Sequence, residues 1–383
     1  MGVDKIILLI MAAFAVVGGI DKIIGNKLGL GGAFERGILL FGQLFLSMSG
    51  MIVLAPVIAD VLSPIVIPVY TLLGADPAMF AGSFLACDMG GYPLATELTA
   101  NTDAARLGGI IAASMLGVTV TFTVPVAMGV ISKDDRPFVA KGLLCGIITI
   151  PVGIFVGGIT VGCSPLFVLK NVTPIIIFSL LIALGLWKLE RAIIAAFTVF
   201  GKFMTALSTA GLIVAIIQRF GGITLLPRLA SLEGAFVVVG DIALMLAGAF
   251  PLMFIVTKLL RKPLLALGKR LGFNESSVMG LLTSLINSIP VFDSVKDMDE
   301  RGKIINMAFA VSGAFVFGDH LAFTAGSDPQ AVLGLIVGKL CAGISALAVA
   351  LLTTKNTNKE ILYCLTFTFI QAFPLTPRPP QEI

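Results

Sequence analysis

One acidic residue and two glycines interrupt an otherwise apolar stretch between Gly82 and Glu97. Asp88 lies near its middle and is followed by the pair Gly90-Gly91. An ionisable side chain inside a membrane is costly, so it normally faces protein or a polar cavity. Glycine weakens a helix, and lipid cannot satisfy the backbone groups that are freed. The stretch therefore predicts a helix broken beside a polar cavity, the construction that transporters use for binding sites.

A second interrupted stretch matches the first when residues 279–290 are set beneath residues 82–93. In both, an apolar half-segment leads to a polar, helix-weakening centre and then to a proline. The second centre carries Asn287, whose amide suits a hydroxyl or a carboxylate. A polar connector and a long span rich in small residues follow each copy. We expect repeat-like halves at about 38–165 and 236–353 within one polytopic membrane domain, 1–383.

Loop charge predicts opposite orientations for the two copies. The span after the first copy ends at the basic loop 133–141, and the strongest basic cluster, 258–270, is predicted to lie on the same, cytoplasmic side. The span after the second copy ends at 326–329, which carries no lysine or arginine. The repeat is then inverted, provided that each broken element is a re-entrant hairpin. If each is a full span, the copies are parallel.

Asp319 and His320 are adjacent in the predicted span 303–325, and His320 is the only histidine of the chain. Neighbours on a helix point about 100° apart, so Asp319 can face a cavity while His320 pairs with it indirectly or caps the helix end. The alternative places both at the outer membrane boundary, in solvent. A metal site is not expected, because one histidine without a cysteine cluster offers too few ligands.

The charges at this depth favour a cation as the ligand. Asp88 and Asp319 are acidic, and the only basic residues that can lie at comparable depth are Lys202 and Lys339. A surplus of negative charge suits a small amine, a proton or a metal ion. For Asp88 the alternative is a structural cap on the broken helix.

Two further candidates follow the first break. Glu97 lies about two helical turns beyond it, where an interfacial position is equally consistent. Tyr92 can place its ring against a cation, although a tyrosine in a membrane chain is often an interface anchor. The predicted substrate-binding residues are Asp88, Asn287, Asp319, His320, Glu97, Gly90, Gly91 and Tyr92.

Composition sets the class of protein that must position these residues. Of 383 residues, 57% are hydrophobic and 13% are charged, against roughly 25% charged in soluble domains. The mean hydropathy is +1.04. These values predict an integral membrane protein. The apolar stretches along the chain predict an all-α fold with ten or eleven transmembrane helices and two broken or re-entrant elements, 78–97 and 277–296. The predicted continuous spans are 5–20, 38–57, 58–74, 106–131, 138–162, 171–187, 192–217, 236–257, 303–325, 330–353 and 361–374.

Other classes are disfavoured. No basic patch alternates with aromatic residues, so we expect no nucleic-acid partner. The five cysteines, which include Cys87 and Cys364, are scattered without a Cys-x-x-Cys pair and are interpreted as small core residues. An intramembrane aspartyl protease needs a Gly-x-Gly-Asp sequence, but Val316 stands where the first glycine should be.

Three motifs resemble the ethanolamine utilization permease family of bacterial inner-membrane proteins: Cys87-Asp-Met-Gly-Gly91, Asn287-Ser-Ile-Pro290 and Gly318-Asp-His-Leu321. The resemblance extends over nearly the whole chain, in order and spacing, and includes Gly338-Lys339. The loop between spans 192–217 and 236–257 is shorter than the family pattern.

The resemblance implies a multi-pass permease that takes up ethanolamine across the cytoplasmic membrane without a cofactor. Ethanolamine is a primary amine and is therefore protonated at neutral pH. Asp88 and Asp319 would hold its ammonium by charge-assisted hydrogen bonds, and Asn287 and His320 would meet its hydroxyl. A homodimer is common for this architecture. The alternative function is a cation or proton-coupled exchanger or channel for another small amine or ion.

Overall fold

The computed structural model describes residues 2–355, and every secondary-structure element in that part of the chain is a helix. The predicted span 361–374 and Cys364 lie outside the described residues. Within residues 2–355, seven helices or helical runs are long and apolar enough to cross a membrane. They confirm the prediction of an all-α, multi-pass membrane protein, and their bounds are Val3–Ile23, Leu30–Leu72, Thr102–Val130, Arg136–Thr160, Pro165–Gly221, Leu232–Leu271 and Pro329–Thr354.

The longest run, Pro165–Gly221, holds two crossings. Its 57 residues would extend about 86 Å as one straight helix, whereas a bilayer core is about 30 Å thick. The helix bends at Leu189, where φ is −131° and ψ is 38°. Across the bend, the side chain of Ile193 packs against Gly185. The predicted spans 171–187 and 192–217 lie on the two sides of Leu189.

The early spans differ from the prediction. The division into 38–57 and 58–74 was wrong, since one helix, Phe41–Leu72, continues through three prolines. Side-chain hydroxyls can satisfy backbone carbonyls in such helices, and Ser63 Oγ donates a hydrogen bond to Ala59 O at 2.6 Å. The short helix Leu30–Leu39 precedes it.

Hairpin 1 consists of the helices Ala78–Phe84 and Tyr92–Leu98 with the break between them. Its two ends lie together, because Thr99 Oγ1 donates a hydrogen bond to Asp76 Oδ2 at 3.0 Å. The segment therefore enters and leaves the membrane on one side. At the break, Gly90 has a φ of +95°, a conformation that residues with a side chain rarely adopt.

Hairpin 2 repeats this arrangement with the helices Glu275–Ser284 and Ile289–Ser294. Its ends are joined by hydrogen bonds that Asn274 donates, from its backbone N to Asp299 Oδ1 at 3.0 Å and from its Nδ2 to Asp297 O at 2.9 Å. Both broken elements are thus re-entrant, which is the condition for an inverted repeat.

Two ion pairs show that the spans following the hairpins are antiparallel. Arg106, at the start of Thr102–Val130, pairs with Asp328, just after the second copy's span, with 2.5 Å between Nε and Oδ2. Lys303, at the start of the second copy's span, pairs with Asp135, just after the first, with 2.5 Å between Nζ and Oδ1. The two ion pairs lie at opposite ends of the spans, and the repeat is inverted.

These ends define two sides of the protein. Arg301 Nη1 donates a hydrogen bond to Leu271 O at 3.4 Å, so the basic cluster 258–270 lies at the same end as Lys303. We call this end the basic side and the other end the Arg106 side. Hairpin 1 enters from the Arg106 side and hairpin 2 from the basic side.

The span of the second copy is itself broken, unlike the continuous helix predicted for 303–325. The helices Glu300–Ser312 and Asp319–Ser327 are separated by a turn. Within it, the backbone N of Phe315 donates to Ser284 O at 2.9 Å, and that of Phe317 donates to Leu285 O at 2.8 Å. The freed backbone groups are satisfied by the break of hairpin 2. Asp319 is therefore the first residue of a half-helix and not a residue near the end of a long one.

The helices after each copy, Arg136–Thr160 and Val332–Lys355, pack through two Gly-x-x-x-Gly sequences. A Cβ at Gly153 would lie 2.6 Å from Gly338 O, and one at Gly157 would lie 2.9 Å from Gly334 O. Small residues permit this close approach of backbones.

Gly153→Leu is expected to destabilise the protein, because the new side chain meets backbone. Overpacking of this kind costs about 1–3 kcal/mol, or a fall of about 5 °C in melting temperature. Thermal unfolding of the purified protein in detergent measures the change. Gly240→Leu is the matched control, since a Cβ there meets nothing within 4 Å. Equal melting temperatures for the two variants would contradict the packing.

Candidate functional site

Asp88 and His320 meet where hairpin 1 faces the half-helix Asp319–Ser327. Asp88 Oδ1 lies 3.9 Å from His320 Nε2, and the two side chains are 15% and 2% exposed. This distance is too long for a hydrogen bond. Neither Asp88 Oδ1 nor His320 Nδ1 has a hydrogen-bond partner among the described residues. A buried carboxylate oxygen without a donor is costly, so this atom is available to a ligand that carries N–H groups.

Asp319 is the second acid of the site. Its carboxylate lies close enough to Asp88 for the two to interact electrostatically. It is the first residue of its half-helix, where the helix dipole favours negative charge. The structure thus brings together three residues that the sequence proposed, Asp88, Asp319 and His320.

Cys87 also belongs to this cluster, which its interpretation as a core residue missed. Its Sγ, a carboxylate oxygen of Asp88 and a ring nitrogen of His320 all lie within 4.8 Å of one another. These three atoms could serve as metal ligands, but they leave a tetrahedral set one ligand short. The positive charge of a nearby lysine would also oppose a metal cation. That no metal binds here stays a prediction.

The nearby lysine is Lys339, from the helix Val332–Lys355. Its side chain is fully buried, and Nζ donates a hydrogen bond of 2.5 Å to Ser114 O. It interacts electrostatically with Asp88 and Cys87. The site therefore contains a lysine at the depth of the two acids. The sequence indicated this residue only as one of two lysines in apolar segments.

The span under hairpin 1 explains how Lys339 reaches the site. Residues Leu107–Gly117, which include Ser114, form a π-helix, a form often found at functional sites. Gly117 lies directly against Leu85 O, and a Cβ at Gly91 would lie 3.0 Å from Ala113 Cβ. The span and the break are thus in backbone contact, and a group bonded to Ser114 O lies beside the break.

Asn287 occupies a different position from the one expected. Its Oδ1 accepts a hydrogen bond from Ile289 N at 2.8 Å, which stabilises the start of the second helix of hairpin 2. It lines a cavity of about 860 Å³ on the basic side, with Thr283 and basic residues that include Arg36 and Lys258. No described contact joins Asn287 to Asp88. The two breaks meet indirectly, since Gly318 packs against Ile286 O.

Tyr92 and Glu97 lie toward the Arg106 side and not in the cluster. Tyr92 OH donates to Asp328 Oδ2 at 3.3 Å, and its ring packs edge-on against Phe323 with 6.4 Å between centroids. Glu97 lies 3.8 Å from Arg228, and its side chain is 35% exposed. Gly90 and Gly91 contribute backbone shape to the break.

Comparison with known proteins places the chain in a family. The family model described as "Ethanolamine utilisation protein, EutH" matches residues 3–353. The "Probable ethanolamine permease EutH" of Listeria monocytogenes serotype 1/2a is 51% identical over 94% of this chain and 98% of its own. A protein of the same name from Escherichia coli K12 is 41% identical over 92% and 96%. The "Uncharacterized protein YxeR" of Bacillus subtilis is 43% identical over 91% and 95%.

No solved structure matches the chain. The family model nevertheless covers almost every residue that the structure describes, including both hairpins and the cluster around Asp88. The chain therefore belongs to the EutH family of ethanolamine utilisation proteins.

Proposed function

We propose that this protein is a permease that carries ethanolamine across the bacterial cytoplasmic membrane and binds the protonated amine at Asp88. The observation that carries the proposal is the buried Asp88 carboxylate oxygen that lacks a donor, at the break of a re-entrant hairpin. Relatives named as ethanolamine permeases support the substrate, and they give no support to an enzyme.

The proposed binding mode uses both ends of the substrate. The ammonium donates hydrogen bonds to Asp88, with Asp319 adding negative charge. The hydroxyl pairs with His320, whose Nδ1 lacks a partner among the described residues. Asn287 would contact the substrate at a separate position, in the cavity on the basic side, before or after it occupies the position at Asp88. Glu97 and Tyr92 take no part in this binding mode, since their contacts lie at the Arg106 side.

Alternating access would proceed by movement of one repeat against the other. The ion pair Arg106–Asp328, joined by Tyr92, closes the Arg106 side, and the pair Lys303–Asp135 closes the basic side. Each pair links the start of one copy's span to the end of the other's. Breaking one pair and keeping the other would open the site to one side only.

The alternative is a proton-coupled exchanger or channel for another small amine or ion. The 3.9 Å between His320 Nε2 and Asp88 Oδ1 favours this alternative, because either of the two side chains could carry a proton through the site. The cytoplasmic orientation of the basic side and a homodimer are further parts of the proposal. Uptake of ethanolamine by proteoliposomes depends on neither.

Uptake of labelled ethanolamine by proteoliposomes tests the proposal. We expect saturable uptake that unlabelled ethanolamine suppresses, measured at several pH values with and without a membrane potential. Empty liposomes correct for the neutral amine that crosses lipid unaided, a fraction that falls about tenfold per pH unit in acid. Flux that ignores ethanolamine and follows sodium or pH would favour the exchanger and contradict the permease.

A further inference from the structure

Lys339 is a buried lysine that the proposed binding mode does not use. Its side chain has no solvent exposure, although a charge removed from water is costly unless an opposite charge lies near. Asp88 supplies that charge, because Ser114 O lies on the span whose backbone contacts the break that carries Asp88. The Nζ atom is held at 2.5 Å from Ser114 O.

This arrangement leaves Lys339 near Asp88 without a hydrogen bond between them. Asp88 Oδ1 has no donor among the described residues. The lysine therefore balances the charge of the carboxylate while a hydrogen-bonding position stays open. A primary ammonium ion that occupies this position has the same charge and the same kind of donor as the lysine.

From this geometry, and resting on the proposed function, we propose that Lys339 is a tethered cation that compensates Asp88 when the carrier is empty. The ammonium of ethanolamine competes with it for the same carboxylate. An acidic site that is neither occupied nor compensated would be costly to move through a medium of low dielectric constant. Lys339 thus allows the empty carrier to return, and it limits the affinity for substrate.

The proposal separates two modes of transport. Exchange of labelled for unlabelled ethanolamine uses only the loaded carrier, whereas net uptake also requires the empty carrier to return. Lys339→Met removes the charge and retains much of the side-chain length. We expect this variant to bind ethanolamine about tenfold more tightly, equivalent to about 1.4 kcal/mol, to keep exchange, and to lose most net uptake.

The experiment compares exchange, net uptake and equilibrium binding in proteoliposomes and detergent. Lys339→Arg keeps the charge and should retain more net uptake than Lys339→Met. Lys339→Gln gives the same test with a polar neutral side chain if the methionine variant does not fold. Lys202→Met is the matched control, because Lys202 also lies in a spanning helix but is exposed.

The failures of the two proposals can be told apart. If folded Lys339→Met loses exchange and net uptake equally, or keeps both at wild-type rates, the role of Lys339 is overturned and the permease stands. If wild-type protein neither binds nor exchanges ethanolamine, both are overturned. If Asp88→Asn loses binding while Lys339→Met binds, exchanges and takes up ethanolamine as the wild-type protein does, only the role of Lys339 is overturned.

Discussion

Asp88→Asn is expected to lower ethanolamine binding and uptake by about a hundredfold. A hydrogen bond to a charged group contributes about 1.5–3 kcal/mol, and each 1.4 kcal/mol corresponds to about a factor of ten. The amide keeps the size of the side chain but removes the charge that attracts an ammonium ion. Binding of labelled ethanolamine to purified protein measures the loss directly, and uptake by proteoliposomes measures its effect on transport.

The matched control is Asp293→Asn. This substitution is the same chemical change, made in hairpin 2. Asp293 is exposed at the end of a helix, so the affinity for ethanolamine should not change. Asp319→Asn should have an intermediate effect, because in the proposed binding mode Asp319 adds negative charge but accepts no hydrogen bond from the ammonium. Wild-type affinity in folded Asp88→Asn would remove Asp88 from the site and leave the family assignment without this mechanism.

Breaking either ion pair is expected to open the site to one side, with opposite results for the two pairs. Asp328→Asn removes the partner of Arg106, and Asp135→Asn removes the partner of Lys303. The paired side chains are between 9% and 15% exposed. Removing one partner of a buried pair costs about 3–5 kcal/mol, so the open population should rise at least tenfold.

Cys87 provides a reporter for this opening, because it lies beside Asp88 and is buried. A membrane-impermeant thiol reagent should label it from the Arg106 side in Asp328→Asn and from the basic side in Asp135→Asn. The other cysteines, Cys145, Cys163, Cys341 and Cys364, are replaced beforehand. Labelling from the same side in both variants would contradict the assignment of the two closures.

Mild acid should not mimic Asp135→Asn. The hydrogen bond from Lys303 lowers the pKa of the Asp135 carboxyl below its ordinary value of 3.8. The stabilisation from the ion pair is therefore fully present above pH 3.8. It is lost only when the pH falls through the lower pKa that Asp135 has in the folded protein. Labelling of Cys87 from the basic side should therefore stay low between pH 5 and 8. Labelling that rises as the pH falls from 8 to 5 would contradict this prediction.

The two hairpins could be predicted from the sequence because the residues that interrupt each helix lie within a few positions of one another. A glycine pair, or a polar residue followed by a proline, weakens a helix through its own backbone. A proline alone was not sufficient, since the helix Phe41–Leu72 continues through three of them. Loop charge predicted an inverted repeat only if both broken elements are re-entrant, and the ion pairs of Arg106 and Lys303 agree with that arrangement.

The break at residues 313–318 could not be predicted in this way. Its glycines, Gly313 and Gly318, resemble many others in a chain with 42 glycines, and what holds the turn is hydrogen bonding to hairpin 2, far away in sequence. The position of the Lys339 side chain could not be predicted from the sequence either. A lysine in an apolar helix often extends to the membrane surface, and only the fold shows that Nζ ends at Ser114 O.

The contact between hairpin 1 and the span beneath it also limits how the molecule can move. Gly82 lies directly on Gly108 O and Gly117 on Leu85 O, so main chain meets main chain at two levels. No rotatable side chain is present there to absorb a displacement. Hairpin 1 and its span must therefore travel as one block that carries Asp88. In the proposed transport cycle, the sliding surface would then be the boundary of this block with the half-helix that begins at Asp319.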